Sequence, residues 1–165
     1  DNTSDLNKPI STATQTALNT KLNKDELPSC LNPIIISGQV GSQSNVSVGK
    51  IPFGEIWVNI GGISYDSATR RFTVPQAGTY RITMNPFKAV SATTARVLVG
   101  INTDTPTPST HRGHTYANGG VYSTMSINSV VNLSANNYIV FYLYEGELYN
   151  ESSDRFNQFT IERIA

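Results

Sequence analysis

Both histidines of the chain, His111 and His114, fall in one stretch, Thr103–Gly120, together with Arg112 and Tyr116. Guanidinium, imidazole and phenol groups stack on sugar rings and hydrogen-bond hydroxyls, so this set suits contact with a glycan or a protein surface. The stretch shows neither helical nor strand periodicity and is rich in Thr, Pro and Gly. It reads as a long structureless loop flanked by strands, where binding residues tend to sit on a rigid scaffold. His111, Arg112, His114 and Tyr116 are therefore the candidate receptor-binding residues. A solvated loop without a ligand is the plain alternative. A metal role, with copies of the chain meeting, is a third, although two histidines at i, i+3 are too few for a closed site.

Catalytic constellations are missing elsewhere. The chain has no Gly-x-Ser-x-Gly, no Gly-x-x-x-x-Gly-Lys-Ser/Thr, no His-Glu-x-x-His and no cysteine pair. Cys30 is the only cysteine, and a nucleophilic role would need a histidine partner. Asp66 falls in a turn, Tyr65–Arg70, where Asp serves local backbone bonding. Glu145, Glu147, Glu151 and Asp154 gather in the stretch 145–155, and spacing within a loop predicts no paired-carboxylate geometry. The expectation is a non-enzymatic protein with no cofactor and no metal site.

Composition narrows the partners. Among 165 residues, 38% are hydrophobic and only 15% charged, with many Ser, Thr and Asn, which suits an all-β domain. The formal net charge is zero, so electrostatics argue against nucleic acid or an anionic membrane as partner. No apolar run approaches the ~18 residues of a membrane span. With one cysteine, an intramolecular disulfide is excluded, and packing or oligomerisation must hold the fold. Sequons occur at Asn2, Asn45, Asn132 and Asn150, as expected by chance in a chain this rich in Asn, Ser and Thr. The chain starts at Asp1 rather than Met, as a fragment or processed product would.

The elements that must carry these residues are strands. Candidates are Ile34–Ser37, Glu55–Ile60, Arg71–Val74, Thr79–Met84, Ala95–Ile101, Val121–Val131, Tyr138–Tyr144 and Gln158–Ile164. Short strands at this spacing, punctuated by Gly and Pro, predict a sandwich or jelly roll over residues 34–165. Phe72 and Val74 form one face of their strand, and Tyr80, Ile82 and Met84 one face of the next. Tyr138–Tyr144 is apolar on both faces: Ile139, Phe141 and Leu143 on one, Tyr138, Val140, Tyr142 and Tyr144 on the other. The first set belongs inside the sandwich. The tyrosines suit either a subunit interface or a solvent-facing surface. Residues 1–27 differ: a helix start at Asn7-Lys8-Pro9, then Ile10, Ala13, Ala17, Leu18 and Leu22 at helical spacing. Such a helix is marginal alone and gains stability against copies of itself, which makes Leu18 and Leu22 candidate interface residues. Pro28 to Pro33 reads as a hinge.

Two resemblances join these readings. Phe72-Thr73-Val74-Pro75-x-x-Gly78-x-Tyr80, preceded by Gly62-Ile63-Ser64-Tyr65-Asp66, resembles the central motif of C1q-like domains, relatives of tumour necrosis factor. Val131–Val140 resembles a second family segment, and the Phe-rich end fits as well. The family's Gly-Asp pair is here Asn136-Asn137, so a calcium site built on that Asp does not carry over. The resemblance implies a ten-stranded jelly roll that forms a homotrimer, with Tyr138, Tyr142 and Tyr144 as candidate trimer contacts. Ser4 to Leu18 is similar to a linker found in tail-fibre proteins of phages and in surface proteins of large viruses. Together they imply a trimeric receptor-binding head on a virion surface, attaching to a host-surface glycan or protein. A trimerisation or capping knob without a ligand is the alternative.

Overall fold

Strand alternation becomes burial in the computed structural model, which describes residues 11–21, 32–41, 44–151 and 155–165. In β6, Gly78–Asn85, the side chains of Tyr80, Ile82 and Met84 are fully buried, while Arg81 and Asn85 are exposed. In β5, Arg71–Thr73, Phe72 is fully buried, as is Val74 just after it. The remaining strands are β1 (Ile35–Gln39), β2 (Gly49–Lys50), β3 (Glu55–Ile60), β4 (Ser64–Asp66), β7 (Phe87–Lys88), β8 (Thr94–Ile101), β9 (Gly113–Asn118), β10 (Ser123–Thr124), β11 (Ile127–Leu133), β12 (Tyr138–Gly146) and β13 (Gln158–Arg163).

They form two antiparallel sheets. The first has the order β11-β6-β13-β1-β3, and the second β4-β5-β12-β8-β9, with β2 also paired to β12. A two-stranded ribbon, β10-β7, lies apart from both. The fold is all-β, a sheet-on-sheet sandwich whose inner faces supply one core. Ile36, Ile82, Phe159 and Ile161 come from the first sheet, and Phe72, Val97, Ile139, Phe141 and Leu143 from the second. Phe53, outside any strand, sits at the centre. Its ring centroid lies 4.4 Å from Phe159 and 5.4 Å from both Phe72 and Phe141.

Three departures from the sequence reading have physical causes. The stretch 103–120 is only partly loop, because Gly113–Asn118 pairs along β8 as β9. Its Thr, Tyr and Gly content hid a solvent-facing edge strand. Val121–Val131 is not one strand: Ser123–Thr124 pairs with β7, and β11 begins at Ile127. The break falls where Met125 N donates to Pro86 O, tying this segment to the ribbon. Tyr65–Arg70 is not all turn, since Ser64–Asp66 pairs with β5 before the chain turns. Asp66 nonetheless bonds locally as expected, accepting from Ala68 N at 2.9 Å and Thr69 Oγ1 at 2.7 Å.

The helix α1 spans Thr12–Lys21. Ser11 caps it: its Oγ accepts from Thr14 N at 3.2 Å and its carbonyl from Gln15 N at 2.9 Å. The cap thus lies beyond the Asn7-Lys8-Pro9 start read from sequence, and those three residues are outside the described set. Residues 11–18 are exposed, Leu18 at 40%, so the described part of this helix buries no face. Leu22, Cys30 and most of the 28–33 hinge also lie outside the described residues.

Candidate functional site

The outer face of the second sheet and the loop after β8 build the site. Cross-strand pairing sets Leu98 opposite both Tyr142 and His114, and Arg96 opposite Tyr116 and Glu145. Partners directly opposite share a face. One continuous surface therefore carries His114, Tyr116, Arg96, Leu98, Tyr142, Tyr144 and Glu145.

Residues 102–112 fold back onto this face. Asp104 anchors the near end: Arg71 Nε and Nη2 donate to its two carboxylate oxygens at 2.9 and 2.5 Å, and Lys50 Nζ lies 3.5 Å away. The Arg71 bond holds the Asp104 carboxyl below the usual carboxylate range, with Lys50 adding to it. Arg71 also lies over the Tyr138 ring, 4.2 Å from its centroid. Pro106 is buried, and it can approach because residue 100 is glycine. A Cβ there would meet Thr103 O at 2.9 Å and Pro106 Cγ at 3.1 Å. Leu98 and Val140, although on the outer face, are fully buried.

A tight turn then aims the first imidazole. Thr107 O accepts from Thr110 N at 3.0 Å and His111 N at 3.1 Å, and Thr107 N donates to Thr110 Oγ1 at 2.9 Å. His111 Nε2 lies 2.9 Å from His114 Nδ1, with the rings edge to face at 4.6 Å between centroids. Arg96, Leu98, Pro108, His111, His114 and Tyr116 line a cavity of about 380 Å³. Arg96 is held from two sides: 5.1 Å from the Tyr116 ring centroid, and 3.5 Å from Nε to Glu145 Oε1. Tyr144 lies 5.9 Å from the same guanidinium.

Three of the four receptor-binding candidates, His111, His114 and Tyr116, thus meet in one cavity. Arg112 does not join them. It lines a separate cleft of about 510 Å³ with Asn102, Val130 and Leu133, and its carbonyl accepts from Ser129 Oγ at 2.6 Å. Sequence reading missed Arg96, Leu98 and Pro108. Arg96 and Leu98 sit inside an apolar run that reads as core, and only the β8-β9 register brings them to the histidines.

The tyrosines of β12 lie on the outer face as alternation predicts. Tyr138 and Tyr142 are half-buried, and Tyr144 is 39% exposed. The described acidic residues of 145–155 each have a separate partner. Glu145 faces Arg96, Glu147 accepts from Ser91 Oγ, Glu151 accepts from the Tyr149 hydroxyl, and Asp154 is outside the described residues. Among the described residues, no three His, Cys, Asp or Glu side chains converge on a common metal position. None of the described helices is long and apolar enough to cross a membrane. Asn150 is 5% exposed, its amide donating to Gly41 O at 2.7 Å, so that sequon is closed in the folded state. The chain matches no family model and no curated protein.

Proposed function

We propose that the chain is the receptor-binding head of a viral or phage fibre: a C1q-like jelly roll, homotrimeric, displayed on the virion surface, binding a host-surface glycan or protein without catalysis. The nested strand pairing carries this reading. β1 pairs with β13, β5 with β12, β6 with β11 and β8 with β9. A long hairpin folded over itself pairs its strands in this outside-to-inside order, which is the wiring of a jelly roll.

Oligomerisation draws support from β3. Among the described residues it has one sheet neighbour, β1, and all six of its residues are exposed. Four are large and apolar: Ile56, Trp57, Val58 and Ile60, exposed between 37% and 50%. An uncovered apolar edge is an aggregation hazard unless another chain covers it. Helix α1 leaves its described face uncovered as well, as a stalk segment would. Binding by the cavity fits a β scaffold that presents a loop-built pocket, repeated on each copy for avidity.

Light scattering on the purified chain tests the assembly. A mass near three times 18.0 kDa is expected, and a stable monomer overturns the trimeric head. Labelled protein on panels of cells and glycans tests attachment. Binding should fall on joint replacement of His111, His114 and Tyr116 by Ala. A folded trimer that binds neither cells nor glycans would leave the capping knob.

A further inference from the structure

Hydrogen-bond direction inside the cavity narrows its ligand. The Thr107 carbonyl can only accept, and His111 Nδ1 lies 3.3 Å from it, so that nitrogen carries a proton. In neutral His111, Nε2 is then a lone pair. It must accept from His114 Nδ1, 2.9 Å away. The proton of neutral His114 is thereby committed to Nδ1, leaving its Nε2 as a bare lone pair. One added proton fits only there without breaking the relay. The two imidazoles thus act as one unit with a single variable end, His114 Nε2.

The rest of the lining is rich in donors. Arg96 offers five N–H groups and no acceptor. Its contact to Glu145 uses the Nε side at 3.5 Å, which leaves the terminal nitrogens for a ligand. The Tyr116 hydroxyl donates or accepts, Leu98 and Pro108 are apolar, and among the described residues no carboxylate lines the cavity. A neutral sugar needs acceptors for its hydroxyl protons, and such a wall supplies few. A ligand that brings its own oxyanion matches it, because the planar guanidinium fork fits carboxylate and similar anions. About 380 Å³ is at the lower end of the usual range for small-molecule sites, enough for a compact sugar unit.

Building on the proposed attachment role, we infer that this cavity binds an acidic sugar residue, its oxyanion held by Arg96 and a protonated His114 and its ring set against Leu98, Pro108 and Tyr116. The charged and titratable groups around His114 are Arg96 from β8, Tyr116 from β9 and His111 from the loop, with Glu145 of β12 3.5 Å from Arg96 on the same face and Tyr142 of β12 across Leu98. A lone pair at Nε2 repels an oxyanion, so binding takes up one proton. Affinity then rises as pH falls, by at most about tenfold per unit for one linked proton.

The test is calorimetric titration of the purified chain with sialyllactose, a glucuronate-terminated disaccharide, a sulfated disaccharide and lactose, from pH 6 to 8. At least one acidic sugar should bind more than tenfold tighter than lactose, with proton uptake detected as a dependence on buffer ionisation heat. Whether carboxylates or the sulfate bind separates the two sources of negative charge. Arg96→Gln should weaken binding about tenfold to hundredfold, the range for a charged hydrogen bond. His114→Gln places a permanent N–H near the Nε2 position. It should retain binding and lose the pH dependence, a result that a merely structural role for His114 would not produce. Circular dichroism separates loss of fold from loss of site. Equal binding of lactose and the acidic sugars overturns the inference, as does acidic-sugar binding indifferent to Arg96→Gln or to pH, or binding of none of the four. If cell attachment still depends on the cavity residues in those cases, the attachment reading survives and only the ligand class falls. If attachment ignores those residues, the attachment site lies elsewhere on the chain and the assignment of this cavity falls, and a chain that attaches to nothing loses both readings.

Discussion

Phe53 is the sharpest test of how this domain is held together. It belongs to no strand, yet it is 5% exposed and its ring meets both sheets. Its ring centroid is 4.4 Å from Phe159 of the first sheet and 5.4 Å from Phe72 and Phe141 of the second, and Tyr65 stands edge-on at 6.1 Å. Phe53→Ala removes the ring from among strands that cannot close the gap without shifting register. A Phe→Ala core substitution costs about 3–5 kcal/mol in transfer and cavity energy. The rings around it, each aromatic pair contributing roughly 0.5–1.5 kcal/mol beyond its area, place the expected loss toward the top of that range. At this chain length, about 2–4 °C per kcal/mol puts the fall in melting temperature at roughly 6–20 °C. Phe53→Leu keeps most of the volume and should cost less than about 1.5 kcal/mol if neighbours repack. Guanidinium unfolding at fixed protein concentration is the assay, since an oligomer's stability depends on concentration. The midpoint should shift with the slope unchanged. A loss under about 0.5 kcal/mol for Phe53→Ala, within the range of ordinary surface changes, would refute the placement of Phe53 at the centre of the core.

Three further outcomes follow from the geometry. Gly100→Ala puts a Cβ 2.9 Å from Thr103 O and 3.1 Å from Pro106 Cγ, so the loop must lift. Ligand binding at the cavity should fall while thermal melting drops by only a few degrees, and unchanged binding would show that the loop's seat on Gly100 does not shape the site. Asp104 is held below its ordinary range chiefly by Arg71, and Asp66 chiefly by the Thr69 hydroxyl. Depressed carboxyls contribute stability above their unfolded value, about 3.9, and lose it as pH falls through the lower folded value. Acid unfolding below about pH 4 should be blunted in Asp104→Asn, as followed by tryptophan fluorescence. Burial raises Tyr65 and Tyr80, whose neutral forms the fold prefers. Their contribution holds below the unfolded value of about 10 and fades as pH climbs through the higher folded one, which a melting series from pH 9 to 11 would detect.

Much of the scaffold was legible because a half-buried strand writes its environment every second residue. Phe72, Tyr80, Ile82, Met84, Ile139, Phe141 and Leu143 were all readable as one face of their strands, and all are buried. Short or outward-facing elements left weaker marks. β2, β4 and β7 are two or three residues long, and β9 alternates residues that nowhere form an apolar stripe. Phe53 could not be read as core, because a residue in a loop has no period to place it.

Local order in the chain determined the strand class, the inward residues, the turn at Asp66 and the clustering of both histidines near Arg112 and Tyr116. Tertiary structure alone decided which of these share a site. Register between β8 and β9 brought Arg96 and Leu98 to the imidazoles, and the return of the loop over Gly100 closed the cavity and left Arg112 in another cleft. The reason is that alternation along a strand assigns a side chain to a face, whereas its neighbours on that face come from strands distant in sequence, fixed by pairing and by loops that no single strand encodes.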